Sequence, residues 1–275
     1  MKVALTGAGG MLGHDLQRAF RDAEVVGFSS ASLDVTKLDV VVGRIRDAGP
    51  DVVVHAAAFT NVDQCESEPE KAYLVNGIGT RNVVMACEAV GCPVVYVSSD
   101  YVFDGRKGSP YNEWDDTGPI NTYGISKLMG ERFVSTLTNR FYIVRTSWLY
   151  GRNGKNFVDT IIRLLSEKDR IEVVDDQVGC PTYTLDLAGK IRELIGKGYG
   201  IYHVTNTGTC SWFDFAVAIA AKKGISKNIV PVTSLQFKRP AERPASSVLG
   251  NTMLRLEGIG ELRNWEEALG EYLNS

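Results

Sequence analysis

Tyr123 and Lys127 stand four residues apart in the run Tyr123-Gly-Ile-Ser-Lys127. On a helix that spacing is about one turn, so both side chains leave the same face. A lysine charge beside a phenol favours the phenolate and is expected to pull the tyrosine pKa down from about 10. A tyrosine so placed can hand a proton to a carbonyl oxygen while its carbon is reduced. Alone, this spacing also fits an exposed helical pair with no chemical role.

A second run, Thr6-Gly7-Ala8-Gly9-Gly10-Met11-Leu12-Gly13, supplies the missing half of that chemistry. Gly7 permits a tight turn, Gly10 lets the backbone approach a pyrophosphate, and Gly13 allows a helix to close on a strand. The helix that follows presents free N–H groups and the positive end of its dipole to phosphates. The run therefore reads as a dinucleotide-binding turn, and the chain as one that handles NADPH or NADH. The expected second strand ends in Gly27-Phe28-Ser29-Ser30, with no carboxylate to hold a ribose 2′-hydroxyl or repel a 2′-phosphate. This favours NADPH, or use of both nucleotides, although the same serines suit a plain turn. Asp34 and Val35 follow soon after; Asp34 could face the adenine or cap the next helix. A third run, Val97-Ser98-Ser99-Asp100-Tyr101, closes the expected fourth strand, where open α/β sheets bind ligands. One of its hydroxyls could polarise a substrate carbonyl. Alternation from Val95 and Val97 favours Ser99 over Ser98.

These groups need a scaffold, and the pattern supplies one. Strands are expected over 3–6, 24–28, 51–55, 93–98 and 142–145, with helices over 12–22, 37–48, 68–90 and 123–137. Strands separated by helices at this spacing make a Rossmann-type, doubly wound parallel sheet in an α/β protein. Residues 1–150 form the expected NAD(P)-binding domain, and 151–275 mainly a smaller substrate-binding region. Further elements are a helix over 157–168, a strand over 171–174 expected to join the sheet, a strand within 198–206, and a helix over 212–223 capped by Ser211 or Thr209. Two Arg-Pro pairs mark 237–249 as an extended loop.

The 275 residues suffice for one full core, and a formal charge of -3 argues against a nucleic-acid partner. The five cysteines are scattered and only three histidines are present, so free thiols are expected and no metal site. No apolar run nears the roughly 20 residues of a membrane span. The N-terminus lacks the pattern of a signal peptide, and a cytoplasmic protein is expected.

Four longer strings extend the pattern across the chain: Ala56–Asp63 with Glu66-Ser-Glu-Pro69, Arg145–Tyr150, Asp176–Thr182 and Arg243–Leu249. With them the sequence resembles the dTDP-4-dehydrorhamnose reductase family of extended short-chain dehydrogenases. The resemblance implies NADPH-dependent reduction of the 4-keto group of a dTDP-linked 4-keto-6-deoxy sugar, giving dTDP-L-rhamnose. It implies Tyr123 as proton donor, Lys127 beside the nicotinamide ribose, and Ser99 orienting the carbonyl. Gly10, Met11, Leu12, Asp34, Val35, Ala58 and Thr60 map to cofactor positions. Asp100 and Trp148 map to the sugar pocket, and Arg243 suits the diphosphate. Some family members dimerise through a carboxylate-bound magnesium; here Leu185 stands where they carry Glu, and monomer and homodimer both stay open. Glu66 and Glu68 read as acids complementing the dipole of the helix they open, not as metal ligands. Two alternatives stay in play: another nucleotide-linked 4-keto-6-deoxy sugar, and a non-catalytic NADP-binding module like the regulatory subunit of methionine adenosyltransferase. Retention of Tyr123, Lys127 and Ser99 together favours catalysis.

Overall fold

A computed structural model describes residues 1–274. Its centre is a six-stranded sheet built from β1 (Lys2–Thr6), β2 (Glu24–Phe28), β3 (Val52–His55), β4 (Val94–Ser99), β5 (Phe141–Thr146) and β6 (Gly200–His203). The spatial order is β6-β5-β4-β3-β1-β2. Every pairing is parallel. Strands β3 to β5 are almost wholly buried, as their β-branched runs require when both faces are covered. On one face Leu12, Leu16, Leu187 and Ile191 pack over Val3, Leu5 and Val144. On the other, Val41, Ile45, Val83 and Val84 pack over Ala4, Val53 and Ile143.

Because the chain visits β2 on one side of β1 and then returns to β3 on the other, a crevice opens past the carboxyl ends of β1 and β3. That reversal is where open α/β sheets take their ligands. The glycine turn leaves β1 into it, and the 56–60 segment leaves β3 into it.

Two features depart from the sequence expectation. The strand Arg170–Val174 does not join the central sheet; it pairs with Asn228–Val232 in a separate two-stranded sheet. Its exposure alternates, so only Ile171 and Val173 face a core. That core is a third cluster with Val158, Ile161, Leu165, Phe215 and Ile219. The sixth sheet strand is Gly200–His203 instead, and the helix Thr184–Leu194 before it packs on the helix Met11–Ala19. The C-terminal half is thus shared: it completes the nucleotide sheet as well as building the smaller region. The expected long helix over 68–90 is also interrupted, by a π turn over Tyr73–Ile78 between Pro69–Ala72 and Gly79–Val90. The wide turn carries Asn76, whose amide grips both Phe59 N–H and Phe59 C=O at 2.8 and 3.0 Å. π turns are rare and tend to lie at functional sites.

The helix Trp212–Lys222 is capped by Ser211, not Thr209, through a capping box with Asp214. All five cysteines are unpaired and buried. Among the described residues no helix is long and apolar enough to cross a membrane.

Candidate active site

Gly7 has φ +77°, and a Cβ there would lie 2.7 Å from the Ala56 carbonyl carbon and Ala57 nitrogen. Only glycine lets the turn after β1 lie against the segment after β3. A Cβ on Gly13 would stand 2.2 Å from the Gly7 oxygen, so this residue lets the helix close on its own turn. Gly10 is the N-cap of Met11–Ala19 and offers no side-chain cap, and no acid occupies the first turn. The leading N–H groups are therefore left for an anion, as a pyrophosphate requires. Met11 lies beneath Gly154, while Leu12 turns into the core. At the end of β2, Ser29 N–H and hydroxyl both engage Ser32, and no carboxylate stands in the Gly27–Ser30 run. These residues fit a dinucleotide, and none of them is a carboxylate that would repel a 2′-phosphate. Ala58 is half-buried and Thr60 exposed in the segment that Asn76 clamps. Asp34 is used locally, accepting from Thr36 N–H and hydroxyl at 3.0 and 2.7 Å. Val35 is buried, with its carbonyl bound by Asn82 at 3.0 Å. Gly13→Ala is expected to weaken NADPH binding at least about tenfold, since overpacking against backbone costs about 1–3 kcal/mol. Nucleotide titration by fluorescence is the check.

The helix Thr122–Leu137 begins with a double cap. Asn121 Oδ1 accepts from Gly124 N–H at 2.8 Å, and Glu66 takes Thr122 N–H and hydroxyl at 2.8 and 2.9 Å. Glu66 therefore complements the dipole of this helix and not the one expected to open just after it in sequence, because the fold brings 62–67 against it. Glu68 instead binds Lys71, 2.8 Å away.

Tyr123 sits in the first turn of that helix, edge-on to Tyr101 at 5.8 Å. Its phenol interacts with Ser99. Ser99 donates to Asp100 Oδ1 at 2.9 Å and accepts from Tyr101 N–H at 3.2 Å. Ser98 points the other way, to Glu131 at 2.5 Å. The pleat of β4 thus separates the two serines as alternation anticipates, one facing the tyrosine and one the core. Burial pushes Asp100 up to about 6, against hydrogen bonds from Ser247 and Ser99. Lys127 is buried, and its Nζ donates to the Val97 carbonyl at 2.7 Å.

The expected depression of the tyrosine pKa is not what this geometry produces. Burial raises Tyr123 well above the ordinary phenol range, and Ser99 only partly offsets it. Burial also pushes Lys127 down to about 7, with Glu131 opposing. Desolvation outweighs the pairwise attraction because both side chains are almost wholly shielded from water. A tyrosine held protonated is nonetheless the form a proton donor needs.

Tyr101 also lines a cleft of about 790 Å³ whose other walls include Phe157, Gln177, Trp212, Arg239 and Arg243. Arg243 donates to Asp63 Oδ1 at 2.8 Å, and Arg239 to Asp63 Oδ2 at 3.2 Å. Trp148 adopts φ +48° and stacks flat on Trp212 at 3.5 Å. Gly179 makes that stack possible, since a Cβ there would come within 2.4 Å of the Trp148 ring. The Arg-Pro loop docks on the same motif, with Val178 N–H bound to the Ala245 carbonyl at 2.9 Å. Leu185 packs against the third core cluster, and no carboxylate takes its place.

Some residues of this neighbourhood carry no motif. Asp63, Asn76, Trp212 and Glu131 escape a reading by spacing, although Glu131 lies one further turn along the face of Lys127. Its signal is faint, because charged residues on helices usually face water.

Comparisons with known proteins agree with this geometry. The family model described as RmlD substrate binding domain matches residues 1–275. The chain is 43% identical over 274 residues to the spore coat polysaccharide biosynthesis protein SpsK of Bacillus subtilis, covering 99% of this chain and 96% of that protein. It is 43% identical over 277 residues to a dTDP-4-dehydrorhamnose reductase of Streptomyces griseus, covering 97% and 91%. A crystal structure of dTDP-4-dehydrorhamnose reductase from Bacillus anthracis in complex with NADP matches with TM-score 0.97 and 44% identity, covering 99% and 98%. Matched by that family model over its whole length, and 43% identical to such a relative, the chain belongs to the RmlD substrate binding domain family, that of the dTDP-4-dehydrorhamnose reductases.

Proposed function

We propose that this protein uses NADPH to reduce the 4-keto group of dTDP-4-dehydro-L-rhamnose to dTDP-L-rhamnose. The observation that carries the reading is the convergence of Tyr123, Ser99 and Lys127 at the carboxyl end of β4. Tyr101, edge-on to Tyr123, also lines the cleft bearing Arg239 and Arg243. NADPH, when bound, supplies hydride to the carbonyl carbon. Tyr123 gives its proton to the carbonyl oxygen, so charge does not accumulate there. Ser99, braced by Asp100, orients that oxygen. Lys127 has one of its three N–H bonds on Val97 and keeps two for the ribose and the developing phenolate. Arg243 and Arg239 meet the diphosphate by charge-assisted bonds. The stacked Trp148 and Trp212 border the sugar and base.

The test is loss of nicotinamide absorbance with NADPH or NADH against a panel of dTDP- and GDP-linked ketosugars. Turnover is expected with dTDP-4-dehydrorhamnose, and faster with NADPH. Turnover confined to another ketosugar would change the substrate. Nucleotide binding without turnover on any of them would favour the non-catalytic module.

A further inference from the structure

The buried chemistry beneath Lys127 is not used by the reaction as derived above. Tyr96 of β4 is fully buried, and its ring lies 4.2 Å from Lys127 Nζ, measured to the ring centroid. Its hydroxyl donates to the Lys127 backbone carbonyl at 3.2 Å. The helix can rest on this ring only because residue 130 is glycine: a Cβ there would stand 2.3 Å from the Tyr96 hydroxyl oxygen. His55 of β3 stacks on Tyr96 at 5.7 Å and 25°. Both nitrogens of His55 are engaged, Nδ1 with Thr6 at 2.7 Å and Nε2 with Thr80 at 3.1 Å. Burial and the Lys127 charge push His55 down to about 3, so no second cation competes for the ring.

The groups around the ammonium can be set out by element. Glu131 faces it from its own helix, Tyr96 and the Val97 carbonyl from β4, and His55 from β3. Arg145 of β5 acts through its pair with Glu131. Only Glu131 among these carries a negative charge, and Arg145 already claims it. Besides the Val97 carbonyl, the ring face of Tyr96 is thus the further attraction offered to a desolvated cation.

We propose that Tyr96 is a positioning residue: its ring face keeps the Lys127 ammonium charged and aimed past Val97 at the reacting phenol. This rests on the reductase reading only for its effect on turnover; the effect on the lysine itself does not. Cation–π attraction is strongest where the cation has lost its water. Without it, the proton should leave Lys127 at lower pH, so activity should fail earlier as pH rises.

The experiment replaces Tyr96 with Phe, with 3,4,5-trifluorophenylalanine and with Leu. Lys127 is followed by NMR titration of ¹³C-labelled lysine, assigned with Lys127→Met, alongside the pH profile of kcat. Tyr96→Phe should titrate close to wild type, because the ring face survives. The trifluoro ring and Tyr96→Leu should both lower the Lys127 titration by about one pH unit. In those two, kcat at pH 7.5 should fall about three- to tenfold with KM little changed. Fluorination alters the ring's charge distribution but hardly its shape, so that variant decides the matter if Tyr96→Leu fails to fold. A titration indifferent to fluorination would overturn the proposal, as would Tyr96→Phe shifting as far as the trifluoro ring. If the wild type reduced no ketosugar, the reductase reading would fall while the titration still judged Tyr96.

Discussion

Tyr123→Phe is expected to lower kcat by at least about a hundredfold while nucleotide affinity stays within about twofold. General acid catalysis contributes roughly 10²–10⁴-fold, and phenylalanine removes the proton while keeping the ring. The ring's edge contact with Tyr101 should survive, and the helix caps at Asn121 and Glu66 lie before it. Ser99 would then brace an oxygen that no proton reaches. The check is steady-state kinetics in both nucleotides together with a binding titration. An unchanged kcat would remove Tyr123 from the chemistry. A parallel loss of nucleotide binding would make it a structural residue of the cofactor crevice. Because burial holds the phenol protonated well above neutrality, the donor form should persist through the alkaline limb, leaving Lys127, at about 7, to set it.

Glu131→Gln is expected to destabilise the fold by about 3–5 kcal/mol, the cost of stranding one member of a buried ion pair. The pair is almost dry: Arg145 and Glu131 side chains are 4% and 5% exposed. Arg145 clamps both carboxylate oxygens, Nε to Oε1 at 2.9 Å and NH2 to Oε2 at 2.7 Å. Ser98 donates to Oε1 as well, and Arg145 NH1 reaches the Glu113 carbonyl at 3.2 Å. Glutamine cannot accept on both arms, so the guanidinium loses one acceptor and its counter-charge in a place water does not reach. Denaturant unfolding should show a lower midpoint with an unchanged slope. The double change Glu131→Met with Arg145→Met should recover much of the loss, since no charge is then stranded. Recovery should be incomplete, because the Glu113 carbonyl loses its donor. If Glu131→Gln cost under about 1 kcal/mol, the pair would be no more than a solvent-like contact.

The network has a further meaning for the site. Glu113 Oε1 accepts from His203 N–H at 3.1 Å and Met253 N–H at 3.0 Å, tying the sixth strand and the 252–256 turn to β5. Glu131 joins this frame to the helix that carries Tyr123 and Lys127. That helix is therefore held by capping at its start, by Gly130 on Tyr96 in its middle, and by an ion pair beside it.

Much of this was readable before any coordinates. Periodicity located all six sheet strands as strands, but it did not place the sixth, within 198–206, in the central sheet. The glycine turn was readable because its residues are demanded by backbone clashes a few residues away. Tyr123 and Lys127 were readable because one helical turn brings them to one face. The choice of Ser99 over Ser98 followed from the two-residue repeat of a strand. All of these depend on neighbours close in sequence.

What stayed hidden depends on neighbours far away. The strand at 170–174 has the composition of a sheet member, and only its packing on the third cluster sends it to Asn228–Val232. The direction of the Tyr123 shift reverses the sequence expectation, because desolvation is set by the whole fold and not by a spacing. Glu66 caps a helix 56 residues away, which no local rule reveals. Asp63 gathers Arg239 and Arg243 from more than 170 positions along the chain. The residues alone thus set out the groups on offer: a tyrosine and a lysine on one helix face, and a glycine turn that opens a helix. Only the tertiary structure decided their charge states and what props them up, because both depend on which groups folding strips of water together.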